Sequence, residues 1–334
     1  MNTESDKPPG GVLARYPPLA DTTVRIHNAS GGYVTRAWQI DTGAGSFLLC
    51  RLPADATADT AAATAGVHTH AAQAGLAPAL VVNDTGELVT TTGGRLFTLT
   101  THLNGATHLF GVPDDALCHH LGHALGRLHQ RLREVPADGL RPWQLPGPAA
   151  IGDALRAHDR PDCPHLAARR VLQVKLTYAQ AITPETRTRL NGLDQQVIHG
   201  DVHPGNILLT GERPVFIDFD LARSAPPGYE LIRALIYCTH PAGPPEAYRD
   251  RVSAFLSGYF SARPLTDPQI ATMVELYRAV QILDPYGLHT CENARETLMG
   301  FGHARFGLLY WLTRHGAILT DLAHQVRHLT GSRR

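Results

Sequence analysis

The stretch VIHGDVHPGNILLTGERPVFIDFD, residues 197–220, decides the fold of this chain. It contains two short apolar runs, Ile-Leu-Leu and Val-Phe-Ile, on either side of a Thr-Gly turn signal, and this pattern predicts a β-hairpin. Because the two strands of a hairpin are antiparallel, the end of the second strand lies beside the start of the first. Asn206, just before the first run, is therefore expected beside Asp218, just after the second. Asp201 lies in the preceding loop and is expected close to both.

This set of residues suits phosphoryl transfer. That chemistry needs Mg²⁺ on the nucleotide phosphates, held by carboxylate and amide oxygens, and a carboxylate that orients and deprotonates the attacking hydroxyl. Protein kinases use a catalytic-loop Asp, an Asn five residues later and a metal-binding Asp on the next hairpin. Asp201, Asn206 and Asp218 have this spacing.

The stretch resembles the aminoglycoside phosphotransferase and choline kinase family of kinase-like small-molecule phosphotransferases. Their pattern is His-Gly-Asp-x-x-x-x-Asn followed by Ile-Asp-Phe/Trp, and it is matched in full here. The resemblance implies an α+β, protein-kinase-like fold of two lobes. An antiparallel β N-lobe that binds the nucleotide is expected over 21–104. A mostly helical C-lobe with the catalytic loop and substrate site is expected over 105–334. The Pro/Gly-rich residues 1–20 are expected to form a flexible arm.

The resemblance also implies roles for individual residues. Asp201 would be the catalytic base, Asn206 and Asp218 would bind Mg²⁺, and ATP or GTP would be the phosphate donor. The remaining nucleotide contacts fall in the N-lobe. They are the phosphate-covering turn Ser30, Gly31, Gly32 and Tyr33, the cation Arg51, and the hinge Thr101, His102 and Leu103.

The third predicted strand shows one match to the family and one departure. The family reads Tyr-Val-Leu-Arg-Leu-Pro there, and residues 48–53 read LLCRLP, so Arg51 takes the place of the phosphate-binding cation. In the family the following helix carries a glutamate that pairs with this cation. Thr64 stands at that place here. Either Asp59 takes the role in a shifted helix, or Arg51 lacks this partner.

Hydrophobic periodicity and turn residues place the other elements. Strands are predicted over 22–26, 34–40, 47–52, 80–82, 87–92 and 95–103. Helices are predicted over 54–75, 114–132, 151–158, 164–181, 184–193, 246–260, 267–283 and 294–329.

Composition limits the compartment and the partners. The 334 residues are 43% hydrophobic with a formal net charge of zero, which favours neither nucleic acid nor a membrane as partner. No apolar run approaches the roughly 18 residues of a membrane-spanning helix, and the polar N-terminus does not resemble a signal peptide, so a cytoplasmic location is expected. Five scattered cysteines then predict reduced thiols.

The acceptor is less well defined. Acids and arginines are nearly balanced over 240–334, so a polycationic antibiotic is not favoured. The polar segment 284–293 is either one wall of the acceptor site or an ordinary helix–helix loop. Three functions remain open: a kinase of a small hydroxylated metabolite or antibiotic, a kinase of Ser/Thr hydroxyls in a biosynthetic peptide, and a non-catalytic nucleotide-binding protein.

Overall fold

A computed structural model describes residues 7–20, 22–29, 36–240, 245–288 and 296–331. The phosphate-covering turn predicted at residues 30–33 lies outside these ranges.

The N-lobe is an antiparallel sheet with one helix. Its sheet follows the order β1-β2-β3-β6-β4, with β5 also paired to β6. Thr57 caps the helix, because its hydroxyl accepts a hydrogen bond from the Thr60 N–H and the Thr60 hydroxyl accepts one from the Thr57 N–H. The elements are β1 (Arg25–Ala29), β2 (Arg36–Thr42), β3 (Gly45–Arg51), α1 (Ala58–Gln73), β4 (Leu80–Val81), β5 (Thr90–Thr92) and β6 (Arg95–Thr101).

The N-terminal segment belongs to this lobe, and the prediction of a flexible arm is wrong for residues 12–19. Val12, Tyr16 and Leu19 are buried against the sheet face that carries Trp38 and Leu49. Arg15 also forms a salt bridge with Asp84 at 2.8 Å. The Pro/Gly content suggested mobility, but these three apolar side chains, spaced about one helical turn apart, gain more from covering an exposed sheet face.

The C-lobe is mostly helical. Its helices α2 and α7 approach closely at two glycines: a Cβ on Gly122 would lie 1.9 Å from the Phe255 carbonyl oxygen, and one on Gly258 would lie 2.0 Å from that of His119. The elements are β7 (Thr107–His108), α2 (Asp115–Leu132), β8 (Arg141–Pro142), α3 (Pro148–His158), α4 (Leu166–Gln180), α5 (Pro184–Asn191), β9 (Gln196–Ile198), β10 (Ile207–Thr210), β11 (Arg213–Phe216), β12 (Arg223–Ala225), α6 (Pro227–Thr239), α7 (Arg249–Ala262), α8 (Asp267–Leu283) and α9 (Glu296–Gly331).

The predicted hairpin is present as β10 and β11, paired antiparallel from Ile207 opposite Phe216 to Thr210 opposite Arg213. The Ile217 N–H donates to the Asn206 carbonyl at 3.1 Å, which extends the pairing to the start of Asp218. The two metal-binding candidates are therefore brought together as the turn signal predicted.

The structure bears on the expected compartment of the chain through its helices and its cysteines. Among the described helices, none is long and apolar enough to cross a membrane. The cytoplasmic location stays a prediction. Cys50, Cys118 and Cys238 are free thiols, but Cys163 is disulfide-bonded, so the prediction that all five cysteines are reduced is wrong.

Candidate active site

A buried glutamate holds the start of the catalytic loop. Glu230, in the first turn of α6, is fully buried and accepts hydrogen bonds from the backbone N–H groups of His199 at 3.1 Å and Gly200 at 2.5 Å. It also pairs with His129 of α2 at 2.9 Å. Burial alone would raise the pKa of Glu230, but the hydrogen bond from His129 and the electrostatic influence of His129 and His199 lower it. The carboxylate therefore stays ionised and fixes the loop.

Gly200 is required by close backbone approach. Its φ of +89° lies in the left-handed region, and a Cβ there would come within 2.0 Å of the Leu221 carbonyl oxygen. The loop consequently packs directly against the segment that follows Asp218.

One histidine joins the catalytic loop to the metal-binding segment. His199 Nδ1 accepts from the Asp201 N–H at 3.3 Å, which leaves Nε2–H to donate to the Ile217 carbonyl at 2.9 Å. Its ring packs on Phe219 with centroids 4.4 Å apart, and Phe219 in turn stacks on His68 of α1 at 4.8 Å. This column of rings fixes the backbone on both sides of Asp218.

Asp201 is held by partners on three sides. Asn206 Nδ2 donates to its backbone carbonyl and to its carboxylate, both at 3.1 Å, and Arg233 Nη2 donates to the other carboxylate oxygen. His203 Nε2 lies 3.5 Å from the carboxylate, while its Nδ1 accepts from the Gly205 N–H and braces the loop. Burial would raise the pKa of Asp201, but the hydrogen bond from His203 and the charge of Arg233 hold it below its usual value.

Asp218 has an unusual backbone for a residue with a side chain. Its φ of +65° is strained, and such strain is concentrated at functional sites. The carboxylate remains accessible to solvent, although partial desolvation by the surrounding protein raises its pKa and the charge of Asp201 adds to this. Desolvation and the charge of Asp218 raise the pKa of Asp220 to about 7.

These donors fit a magnesium ion that is shared with nucleotide phosphates. Asn206 uses its Nδ2 on Asp201, so its Oδ1 is the part left to bind a cation, and Asp218 supplies a carboxylate. Mg²⁺ prefers such oxygens and normally combines one or two protein ligands with phosphates and water. Among the residues the structure describes, no cluster of three or more His, Cys, Asp or Glu forms a metal site by itself.

The strand register gives Arg51 a different face from its neighbour Cys50. Arg51 lies opposite Arg36 and Phe97, on the sheet face of Leu49. The Cys50 side chain lies on the other face of the sheet. Burial raises the pKa of its thiol to about 12, and the charges of Asp220 and Asp218 also raise it. Cys50 therefore faces the two acids, and the phosphate-binding role of Arg51 stays a prediction.

In α1, Thr64 stands at the place of the family glutamate. The Thr64 hydroxyl donates to the Ala61 carbonyl at 3.1 Å within α1, and Asp59 is exposed in the first turn. Asp55 pairs with Arg141 at 3.1 Å. The position four residues after Thr64 is His68, whose Nε2 bonds the Pro78 carbonyl at 2.8 Å and whose pKa burial lowers to about 4. The helix thus contacts the metal-binding segment through a neutral ring.

The predicted hinge keeps one amide for a ligand. The Thr101 N–H donates to the Ala79 carbonyl and the His102 N–H to the Ser46 carbonyl, both at 2.9 Å. Among the hydrogen bonds of the described residues, the Leu103 N–H has no acceptor. The contact of the hinge with the nucleotide stays a prediction, and this amide is its main candidate.

The sequence analysis did not assign Arg233 or Glu230 to the site. A usable signal was present: the two residues are three apart on α6, so they project from one helix face. That face contacts the catalytic loop at Gly200 and at Asp201.

The fold and the site define a kinase-like phosphotransferase. The chain belongs to the phosphotransferase enzyme family, whose sequence profile matches residues 25–265. The predicted family and the two-lobed α+β fold are confirmed, and a small-molecule kinase with a hydroxyl acceptor is the function class supported. The peptide kinase and the non-catalytic binder are not favoured.

Individual proteins are similar to this chain at low sequence identity. An uncharacterized protein of Deinococcus radiodurans is 28% identical over 248 residues, 67% of this chain and 65% of that protein. A homoserine kinase of Xanthobacter autotrophicus is 25% identical over 272 residues, 78% of each chain. A solved amicoumacin kinase, in complex with AMP-PNP, Ca²⁺ and Ami, is 15% identical with a TM-score of 0.60, covering 89% of this chain and 90% of that one.

Proposed function

We propose that this chain transfers the γ-phosphate of ATP or GTP to a hydroxyl of a small metabolite or antibiotic, with Asp201 as the base. The observation that carries the proposal is the bonding of Asp201 to Asn206 and Arg233 beside the hairpin that presents Asp218. A homoserine kinase and an amicoumacin kinase among the similar proteins support a small acceptor.

The residues have separate roles in this reaction. Asp201 is kept ionised and fixed, so it orients the acceptor hydroxyl for in-line attack and takes its proton. Asn206 and Asp218 would hold Mg²⁺, which when bound neutralises charge on the phosphates. Glu230 and His199 keep the two segments in register and do not contact the reactants.

The test is Asp201→Asn in an ATP-consumption assay that offers small alcohols, sugars, hydroxy acids and aminoglycosides. Turnover should fall at least about 100-fold, the usual contribution of a general base, while nucleotide affinity stays nearly unchanged. The control is Asp267→Asn, which removes an exposed carboxylate paired with Arg327 elsewhere in the C-lobe. If Asp201→Asn phosphorylates the same acceptor at the wild-type rate, the assignment is refuted.

A further inference from the structure

The helix α1 packs into the hydrophobic core of the C-lobe. The sheet has its own core around Trp38 and Leu49. Val67 and Ala71, two of the buried residues of α1, belong instead to the large core that contains Leu125 of α2. Because burial of apolar surface is the dominant stabilising contribution, α1 is held mainly by the C-lobe, although the chain enters it from the sheet.

The end of α1 leaves backbone carbonyls that need donors from outside the helix. The Gly75 N–H donates to the Ala72 carbonyl at 2.8 Å, and the Leu76 N–H donates to the Ala71 carbonyl at 2.9 Å. Gly75 has the left-handed φ of +69° that this helix ending requires. The carbonyls of Ala74 and Gly75 lie beyond these bonds, where a helix cannot satisfy them itself.

Three arginines of the C-lobe supply donors at this end of α1. Arg127 Nη2 donates to the Ala74 carbonyl at 3.1 Å, and Arg213 Nη2 donates to the Gly75 carbonyl at 3.0 Å. Arg131, one turn after Arg127 on α2, donates to the side chain of the last residue of α1 at 3.1 Å. Cations are favourable at a helix C-terminus, where the carbonyl dipoles leave partial negative charge. The arginines therefore fix this end of α1 on α2 and β11.

The position of α1 is passed to Asp218 through aromatic rings. His68 of α1 donates from Nε2 to the Pro78 carbonyl at 2.8 Å, and its ring stacks on Phe219 with centroids 4.8 Å apart. Phe219 directly follows Asp218, whose φ of +65° persists only where the surrounding structure holds it. A shift of α1 would remove the ring that supports this backbone.

We propose that Arg127, Arg131 and Arg213 are positioning residues for the metal-binding segment, and that they act through α1 and its ring contact. This rests on the proposed function, in which Asp218 holds the metal of the nucleotide. In the family, a glutamate at the place of Thr64 pairs with the cation of the third strand and ties this helix to the sheet. The three arginines tie α1 to the C-lobe.

The test is the double variant Arg127→Met/Arg213→Met, which removes the two hydrogen bonds to backbone carbonyls and keeps apolar stems of similar length. In calorimetry, AMP-PNP binding in saturating Mg²⁺ should weaken about 3- to 30-fold, the range for coupling through packed side chains. AMP-PNP binding in EDTA should stay within about twofold of wild type, because the arginines act on the metal-binding segment. Equal weakening in both conditions, or none in Mg²⁺, overturns the proposal.

Two further variants separate the hydrogen bonds from general effects of losing an arginine. The matched control is Arg189→Met, since Arg189 is also exposed and bonds Glu275 on another helix through Nη2 at 2.6 Å. It should leave AMP-PNP binding unchanged. Arg127→Lys/Arg213→Lys keeps a charged donor at each carbonyl and should bind AMP-PNP in Mg²⁺ within about twofold of wild type. A lysine variant as weak as the methionine variant would overturn the role of these bonds.

Hydrogen exchange tests the same proposal without nucleotide. In Arg127→Met/Arg213→Met the backbone amides of α1 should exchange faster, while those of α8 keep the wild-type rate. A lower Tm with unchanged exchange in α1 would give the arginines a purely structural role and overturn the proposal. Failure of the proposed function has a separate signature, because Asp201→Asn would then leave phosphorylation of every acceptor unchanged, whereas the binding and exchange measurements use no acceptor.

Discussion

The replacement Glu230→Ala tests how the catalytic loop is held. Glu230 is fully buried and accepts hydrogen bonds from His199 N–H, Gly200 N–H and His129 Nε2. Each bond to a charged group contributes about 1.5–3 kcal/mol, but such values are not additive. A buried donor left without an acceptor costs about 1–3 kcal/mol, and Glu230→Ala leaves these donors without their acceptor. We therefore expect the free energy of unfolding to fall by about 3–5 kcal/mol.

Thermal unfolding should show this loss directly. With an unfolding entropy of about 2.1 cal/mol/K per residue, a chain of 334 residues should lose about 4–7 °C in Tm. The control is Glu275→Ala on α8, whose exposed pair with Arg189 at 2.6 Å should be worth less than about 1 kcal/mol. A loss in Glu230→Ala no larger than in Glu275→Ala would refute the bracing role.

The same carboxylate predicts a pH dependence. Because the folded pKa of Glu230 is lowered, its contribution to stability is fully present above the unfolded pKa of about 4.3 and is lost as the pH falls through the folded value. The stability difference between wild type and Glu230→Gln should thus be constant near neutral pH and shrink in acid. A difference that grows below pH 4 would contradict the ionised state.

Three further predictions concern the nucleotide and the loop. Asp218→Ala should abolish Mg²⁺-dependent ATP binding in calorimetry and Asn206→Ala should weaken it less; unchanged affinity in Asp218→Ala would exclude the metal role. Arg51→Ala should weaken ATP binding about 10- to 150-fold if its guanidinium reaches the phosphates, and Asp59→Ala should weaken it clearly less. Normal ATP binding in Arg51→Ala would mean that Arg51, on the sheet face of Leu49, does not contact the phosphates. Gly200→Ala should lower the free energy of unfolding by at least about 2 kcal/mol, because its Cβ would meet a carbonyl oxygen at 2.0 Å; an unchanged Tm would contradict this packing.

Local patterns in the sequence determined most of the elements. The helix predicted over 267–283 has these bounds, and the hairpin, the sheet strands and the long helices follow within a few residues. Periodicity and turn residues act over short distances, so one stretch of chain carries the signal. The arm was predicted wrongly because the burial of Tyr16 depends on a sheet face formed by later residues.

The sequence alone also placed Asp201, Asn206 and Asp218 together, since a hairpin and a five-residue spacing define their separation. Only the tertiary structure decided which residues hold these side chains in place and shift their pKa values. Arg233 and Glu230 reach the loop from a helix about 30 residues later, and His129 reaches Glu230 from 101 residues earlier. Such contacts depend on how helices pack, and packing is set by the whole core instead of any local pattern. The same holds for the faces of Cys50 and Arg51, which were fixed by strand register.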